Sequence, residues 1–209
     1  MQAKIDDGGT SVPLLSCDPN SNRARKIKMN DNDAISSVQD LVQQLRNAAV
    51  AETPSEAVEA LLTSFVADPQ RARETLPTYV ENDVILFEDD SISIWHCRFV
   101  PGFAVPAHDH QTHATIAVYD GAERNDFFEK STNGTLSKKR EVVLEAGGVM
   151  QIGPDEIHSV ACASETPCCG IHVYLAALTQ IERSLFDTER GEEMRFSDEN
   201  YNRLTGPDS

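Results

Sequence analysis

Long apolar runs and basic residues are both scarce in this sequence. No stretch approaches the roughly 20 consecutive apolar residues that a membrane helix needs. The 209 residues include 18 Lys and Arg against 34 Asp and Glu, which gives a net charge of −16. A chain this acidic repels phosphate backbones and anionic lipid surfaces. We therefore expect neither a membrane-spanning segment nor a nucleic-acid or membrane-surface partner.

The sequence also lacks cysteines spaced for zinc. It has an odd number of cysteines and no Cys-x-x-Cys pair; they are Cys17, Cys97, Cys162, Cys168 and Cys169. The first residues, MQAKIDDGG, have neither the basic region nor the apolar core of a secretory signal. We expect free thiols in a cytoplasmic protein, while the role of Cys168 and Cys169 stays open.

The length fits one domain of ordinary size. Residues 1–34 are rich in Gly, Pro, Asn, Asp and Ser, and we expect a flexible leader there. A single domain over 35–200 follows, with a helical lead-in over about 35–77. Apolar residues three and four apart predict a helix from Val38. Thr53-Pro54 and Asp68-Pro69 are typical helix starts, with Glu56 placed to complete a capping box at the first of them. Two or three N-terminal helices are therefore expected.

Beyond Tyr79 the pattern is typical of antiparallel strands. Short runs of Val, Ile, Phe and Thr are interrupted every eight to twelve residues by turn signals, which favours a β-sandwich or barrel over about 83–200. Asn133-Gly134 suits a type I′ hairpin turn, and a further hairpin is expected after residue 181. The predicted strands lie near 83–88, 91–100, 113–119, 124–130, 140–145, 148–152, 157–163 and 169–176.

Three histidines are the candidate metal ligands. Residues i and i+2 of a strand point to the same side, so His108 and His110 can present two imidazoles to one ion. His158 lies near the start of a later strand. With the flanking Gly102 and Gly121, these residues resemble the two motifs of the cupin superfamily, whose fold is a double-stranded β-helix, a small jelly-roll barrel.

The first motif fits in every spacing, and the second fits less well, because Glu156 stands at a usual glycine and one residue is missing before His158. The slot where cupins usually supply a glutamate ligand holds Ala114. The resemblance therefore implies a metal held by His108, His110 and His158 alone. Imidazole ligands by themselves do not select one transition metal.

Several strings further resemble thiol dioxygenases of the cysteine and 3-mercaptopropionate dioxygenase family. They are PAHDHQTH, YDGAE, GPDEIHSV and GIHVY. With the helical lead-in and the late FDTERGEE stretch, the resemblance covers roughly 35–197. The resemblance implies Fe(II), with Ni, Mn and Zn as alternatives. It also implies a Ser-His-Tyr series beside the metal, in which His172 holds the catalytic Tyr174. Gly170 stands at the serine position, so the outermost hydrogen bond of that series is expected to be missing or replaced by water.

The family anchors the substrate carboxylate with an arginine. No Lys or Arg occurs from Leu76 through Cys97, or between His158 and His172. Arg98 and Arg124 are the nearest arginines, although neither matches the family position, and Arg98 is taken as the candidate substrate-binding residue. Neutral or cationic thiols are the substrates expected first.

The leading hypothesis is an iron enzyme that converts a small thiol and O2 to a sulfinate. One alternative is a metal-dependent cupin oxygenase or isomerase acting on a non-thiol. Another is a cupin that binds a small molecule without catalysis. We expect His96 to be a packing histidine and His113 a surface one. The exact substrate, the metal and the oligomeric state stay open.

Overall fold

The computed structural model describes residues 35–132 and 134–205. The leader expected over 1–34 lies outside the described residues, as does Asn133 of the predicted hairpin turn. The helices are α1 (Val38–Ala49), α2 (Pro54–Val66), α3 (Pro69–Thr75) and α4 (Asp198–Thr205). None of the helices in the described ranges is long and apolar enough to cross a membrane.

The strands form two antiparallel sheets. They are β1 (Asp83–Asp89), β2 (Ile92–Phe99), β3 (Ala104–His108), β4 (Ala114–Asp120), β5 (Ala122–Lys130), β6 (Leu136–Glu145), β7 (Val149–Ile152), β8 (Ile157–Cys162), β9 (Cys168–Tyr174), β10 (Ser184–Asp187) and β11 (Glu192–Arg195). One sheet has the order β1-β2-β9-β4-β7 and the other β11-β10-β3-β8-β5-β6.

The strand order identifies the fold. The orders β2-β9-β4-β7 in one sheet and β3-β8-β5-β6 in the other are those of the two interlocked Greek keys of a jelly roll. The protein is therefore mainly β, a double-stranded β-helix of the cupin kind with three N-terminal helices, as the sequence predicted. The hairpin expected after residue 181 is formed by β10 and β11.

The three N-terminal helices start where their sequences predict. The side chain of Ser37 caps α1 by accepting from the N–H of Asp40, and Asp68 caps α3 by accepting from the N–H of Arg71. The expected capping box of α2 is not formed, because the Thr53 side chain makes no cap hydrogen bond. Pro54 at the first helical position still fixes the start of that helix.

The helices cover one sheet and leave the space between the sheets for a second core. Leu41, Leu45 and Leu62 are fully buried against residues of the first sheet such as Ile94 and Ile171. A separate cluster that includes Ile116, Phe127 and Ile152 fills the interior between the two sheets. Because the first sheet is buried on both faces, its strand β4 is apolar almost throughout.

Strand β3 was not among the predicted strands. Pro101-Gly102 and Pro106 are turn signals, and the pairing of β3 with β8 is irregular between Val105 and His108. Pro106 has no N–H to donate to a ladder, which accounts for the interruption. The strand nevertheless ends at His108, and this end is where the candidate site begins.

Candidate metal centre

His108 and His158 face each other across two neighbouring strands. His108 is the last residue of β3 and His158 the second of β8, and the antiparallel register pairs them directly. Directly opposed residues in such a pair hold their side chains within contact distance. Both imidazoles are buried.

His110 reaches the same point from a loop, not from the strand that the sequence predicted. Strand β3 stops at His108, and Gln111 adopts a left-handed backbone with φ 53°. Two contacts hold this loop: Asp109 Oδ1 accepts from the N–H of Ser184 at 2.8 Å, and the N–H of Gln111 donates to the carbonyl of Pro154 at 3.0 Å. The three imidazoles do come together, as predicted. The predicted cause was wrong, because His108 and His110 do not share one face of a strand.

The protons of two of these rings are directed away from the centre of the cluster. Nδ1 of His108 lies 2.8 Å from the carbonyl oxygen of Pro106, and Nδ1 of His158 lies 2.8 Å from Oδ1 of Asn125. Both oxygens accept, so each Nδ1 carries the proton and each Nε2 presents a lone pair. Nε2 of His110 lies 3.2 Å from that of His108 and 3.4 Å from that of His158.

This donor set fits a transition-metal ion. Two imidazole nitrogens that each lie about 2.0–2.1 Å from an ion are about 2.8–3.4 Å apart when the angle between the two bonds is between 90° and the tetrahedral value. The two measured separations fall in that range. His110 could donate a proton to only one of its neighbours, so without a cation at least two lone pairs face each other. We therefore identify His108, His110 and His158 as a candidate metal site with no carboxylate ligand.

Burial keeps these imidazoles neutral, which is the form that binds metal. It lowers the pKa of His108 to about 3. The pKa values of His110 and His158 are also held well below the usual range, with burial as the main cause.

The cluster opens into a cavity of about 410 Å³ between the sheets, a size suited to a small molecule. Much of its wall is apolar, with Trp95, Phe99, Val160, Leu178 and Phe196 among the lining residues. Its ionisable lining residues besides the histidines, Tyr174 and Tyr201 are Asp83, Cys97, Arg183 and Asp198.

Tyr174 and His172 both line the cavity, but they do not form the pair that the sequence predicted. The Tyr174 ring lies 5.0 Å from that of His110 and packs edge-on against Trp95. No hydrogen bond joins His172 to Tyr174 within the described ranges. Instead, Nε2 of His172 lies 3.1 Å from Oε2 of Glu123, with both side chains buried. The outer partner of His172 is therefore a carboxylate.

Arg98 does not line the cavity, which corrects its assignment to substrate binding. Its neighbours Cys97 and Phe99 on β2 point into the cavity, so Arg98 lies on the opposite face of the strand. There it donates to Oδ1 of Asn82 at 3.3 Å.

The sequence reasoning missed Arg183, which is the arginine in the cavity wall. Its guanidinium stacks on the Phe196 ring, 3.5 Å from the ring centroid. No carboxylate in the described part of the chain forms an ion pair with it. One signal was available in the sequence: Arg183 is the first Lys or Arg after Arg140.

The cysteines, His96 and His113 are not part of the three-histidine cluster. Cys97, Cys162, Cys168 and Cys169 are free thiols. Cys168 is buried beside Cys97, while Cys169 lies on the helix-covered face of β9. His96 is buried, with Nε2 2.7 Å from the Tyr119 hydroxyl, and His113 is exposed.

Comparison of the sequence assigns the chain to no family: neither a protein-family model nor a curated protein matches it.

Solved structures match about half of the chain. A conserved protein with a double-stranded β-helix domain from Klebsiella pneumoniae is 15% identical over 54% of this chain and 86% of its own, with a TM-score of 0.42. A cupin family protein from Methanocaldococcus jannaschii is 9% identical over 50% of this chain and 90% of its own, with a TM-score of 0.40. A DMSP lyase from Ruegeria pomeroyi is 13% identical over 46% of this chain and 44% of its own, with a TM-score of 0.38. Likeness at this level carries no conclusion about chemistry.

Proposed function

We propose that the chain is an Fe(II)-dependent dioxygenase that converts a small, carboxylate-bearing thiol to its sulfinate, RSH + O2 → RSO2H. The observation that carries the proposal is the composition of one cavity. Three neutral imidazoles lie beside a buried tyrosine, and the wall contains Arg183, which forms no ion pair with any carboxylate of residues 35–132 and 134–205. The same combination is what the resemblance to thiol dioxygenases implies.

The absence of a carboxylate among the three nitrogen donors favours an anionic substrate. Neutral ligands leave the ion its double charge, which a thiolate can partly neutralise. Bound to His108, His110 and His158, Fe(II) would supply open coordination positions and the electrons that activate O2. The protein holds the donors in place and surrounds them with apolar side chains that exclude water.

Tyr174 supplies a neutral hydroxyl next to the donor set. Burial raises the pKa of this phenol well above its usual value of 10, so the hydroxyl keeps its proton at neutral pH. A protonated phenol can donate a hydrogen bond to an oxygen or sulfur that carries negative charge. Edge-on packing against Trp95 fixes the direction of the ring.

Arg183 changes the substrate expected from the sequence. A guanidinium binds a carboxylate through two parallel hydrogen bonds, and this one is held against Phe196. A thiol that carries a carboxylate could therefore be held at one end by Arg183 while its sulfur faces the three imidazoles. Acidic thiols thus become the first substrates to try, in place of neutral or cationic ones.

A thiol panel tests the proposal directly. Protein purified without oxygen and loaded with Fe(II) is given 3-mercaptopropionate, cysteine, cysteamine or 2-mercaptoethanol, and O2 uptake and sulfinate are measured together. We expect equal amounts of O2 and sulfinate, with the two carboxylate-bearing thiols preferred; the Zn(II)-loaded protein is the control without redox chemistry. Absence of sulfinate from every thiol would overturn the proposal, and turnover of a non-thiol with Ni or Mn would favour the alternative cupin chemistries.

A further inference from the structure

We infer that Glu123 sets the proton positions on two histidines of the cavity, His158 and His172, and that Asn125 transmits this effect to His158. Glu123 and Asn125 would thus be positioning residues for the metal site. The inference rests on the three-histidine cluster of the proposed function and does not depend on which substrate is oxidised.

Glu123 and Asn125 lie two residues apart on β5, so both point to the same side of the strand. Their relative exposures are 1% and 0%. One carboxylate oxygen, Oε1, accepts from Nδ2 of Asn125 at 2.9 Å, and the other, Oε2, faces Nε2 of His172 at 3.1 Å. Oδ1 of Asn125 faces Nδ1 of His158 at 2.8 Å. A buried chain of hydrogen bonds therefore runs from His172 through Glu123 and Asn125 to His158.

The carboxylate determines the direction of every bond in this chain. An ionised carboxylate only accepts, so Asn125 must turn its NH2 group toward Glu123 and its oxygen toward His158. That oxygen also only accepts, so His158 must carry its proton on Nδ1. Its Nε2 is then bare and faces His110, as a metal ligand requires.

The same reasoning fixes His172 at the other end of the chain. Nε2 of His172 must carry a proton because it faces a carboxylate oxygen. Gly170 does not offer the hydroxyl of the family's serine, and a Cβ there would lie only 3.0 Å from the carbonyl oxygen of Ala117. Glu123 thus serves as the outer partner of His172 in this chain. Asn125 is the outer partner of the candidate ligand His158, and removing such a partner of a metal-ligating histidine typically changes metal affinity by about 10- to 100-fold.

The ring protons can be observed without metal or substrate. Two-bond 1H–15N correlation spectra of the metal-free protein at pH 7.5 distinguish the two neutral forms of each histidine. We expect a proton on Nδ1 of His158 and on Nε2 of His172. A wild-type spectrum with His158 protonated on Nε2 would overturn the inference, even if no variant could be prepared.

The first variant is Glu123→Gln, with Glu129→Gln as the matched control at an exposed position of the same strand. A glutamine has one accepting oxygen for two donors, and its NH2 group must face one of them. We therefore expect the proton position of His158 or His172 to shift in Glu123→Gln and neither to shift in Glu129→Gln. Wild-type proton positions on both rings of Glu123→Gln would contradict the role of the carboxylate.

The second variant, Asn125→Leu, removes the acceptor behind His158 while keeping a side chain of similar shape. We expect the affinity for Co(II), followed by its visible absorption, to fall about tenfold, with the Glu129→Gln affinity unchanged. A Co(II) affinity within twofold of wild type would contradict the role of Asn125. These readouts use no thiol, so a failed thiol panel would count against the proposed reaction and leave this inference intact.

Discussion

Two of the three candidate ligands owe their metal-binding form to one oxygen atom each. Pro106 supplies a carbonyl to His108, and Asn125 supplies an amide oxygen to His158. At this scale the sequence was a good guide to which histidines matter, because His-x-His and a delayed His158 form a recognisable pattern. It did not identify Arg183, Glu123 or Asn125, since each acts through contacts with residues distant in the chain.

The role of Arg183 leads to a prediction about substrate preference. In Arg183→Gln we expect KM for carboxylate-bearing thiols to rise about 10- to 100-fold, because the charge-assisted bonds to the carboxylate are lost. KM for cysteamine, which has no carboxylate, should change little. Steady-state O2 uptake measures both, with Arg124→Gln, an exposed arginine outside the cavity wall, as control. An equal rise in KM for both substrates would count against a carboxylate contact.

Tyr174 is expected to affect turnover more than binding. In Tyr174→Phe the ring and its packing against Trp95 are kept and only the hydroxyl is lost. We expect kcat to fall about 10- to 100-fold with little change in Fe(II) content, in line with the usual contribution of a positioned proton donor. Single-turnover sulfinate formation measures the change, and wild-type rates would assign Tyr174 a packing role.

At the scale of elements, the helices and most strands could be predicted because their patterns are local. β3 could not, since its prolines read as turn signals and its pairing with β8 and β10 depends on the whole barrel. The same limit applied to His110: the loop that carries it is held by Ser184 and Pro154, which are remote in sequence.

Helix α2 is held to the barrel by its buried face. Leu62 is fully buried in the core between the helices and the first sheet. Leu62→Ala should therefore lower the free energy of unfolding by about 2–5 kcal/mol, whereas Thr63→Ala on the exposed side of the same helix should change it by about 0.5 kcal/mol or less. Urea denaturation of the metal-free proteins compares them. Similar midpoints for the two variants would contradict the packing of α2.

The side chains of His96 on β2 and Tyr119 on β4 make a buried contact across the intervening strand β9. This contact predicts a dependence of stability on pH. Burial lowers the pKa of His96 to about 4, while an unfolded histidine titrates near 6.5. Between these values the unfolded chain takes up a proton that the folded chain does not, so stability falls as the pH drops from 6.5 toward 4. Between pH 6.5 and 4, the decrease in the free energy of unfolding should be smaller in His96→Gln than in wild type by about 1–3 kcal/mol. Urea denaturation at several pH values in this interval measures the difference. Equal pH slopes would contradict the lowered pKa.

For the whole molecule, the mainly β character and the double-stranded β-helix were predictable because regular strand spacing and two histidine motifs agree. The residues that line the cavity could not be predicted in the same way. The net charge of −16 is a property of the whole chain and does not indicate which charges lie inside the cavity. The proposed contact of Arg183 with a carboxylate would reverse what the overall charge suggests about substrates.

Metal stoichiometry tests the central claim most directly. Fe(II) is titrated without oxygen into wild type, His108→Ala, His158→Ala and His113→Ala, the last being an exposed histidine of the loop that also carries His110. We predict one tightly bound Fe(II) per chain in wild type and in His113→Ala, and none in the other two variants. Equal Fe(II) binding in all four proteins, or none in wild type, would contradict the three-histidine site.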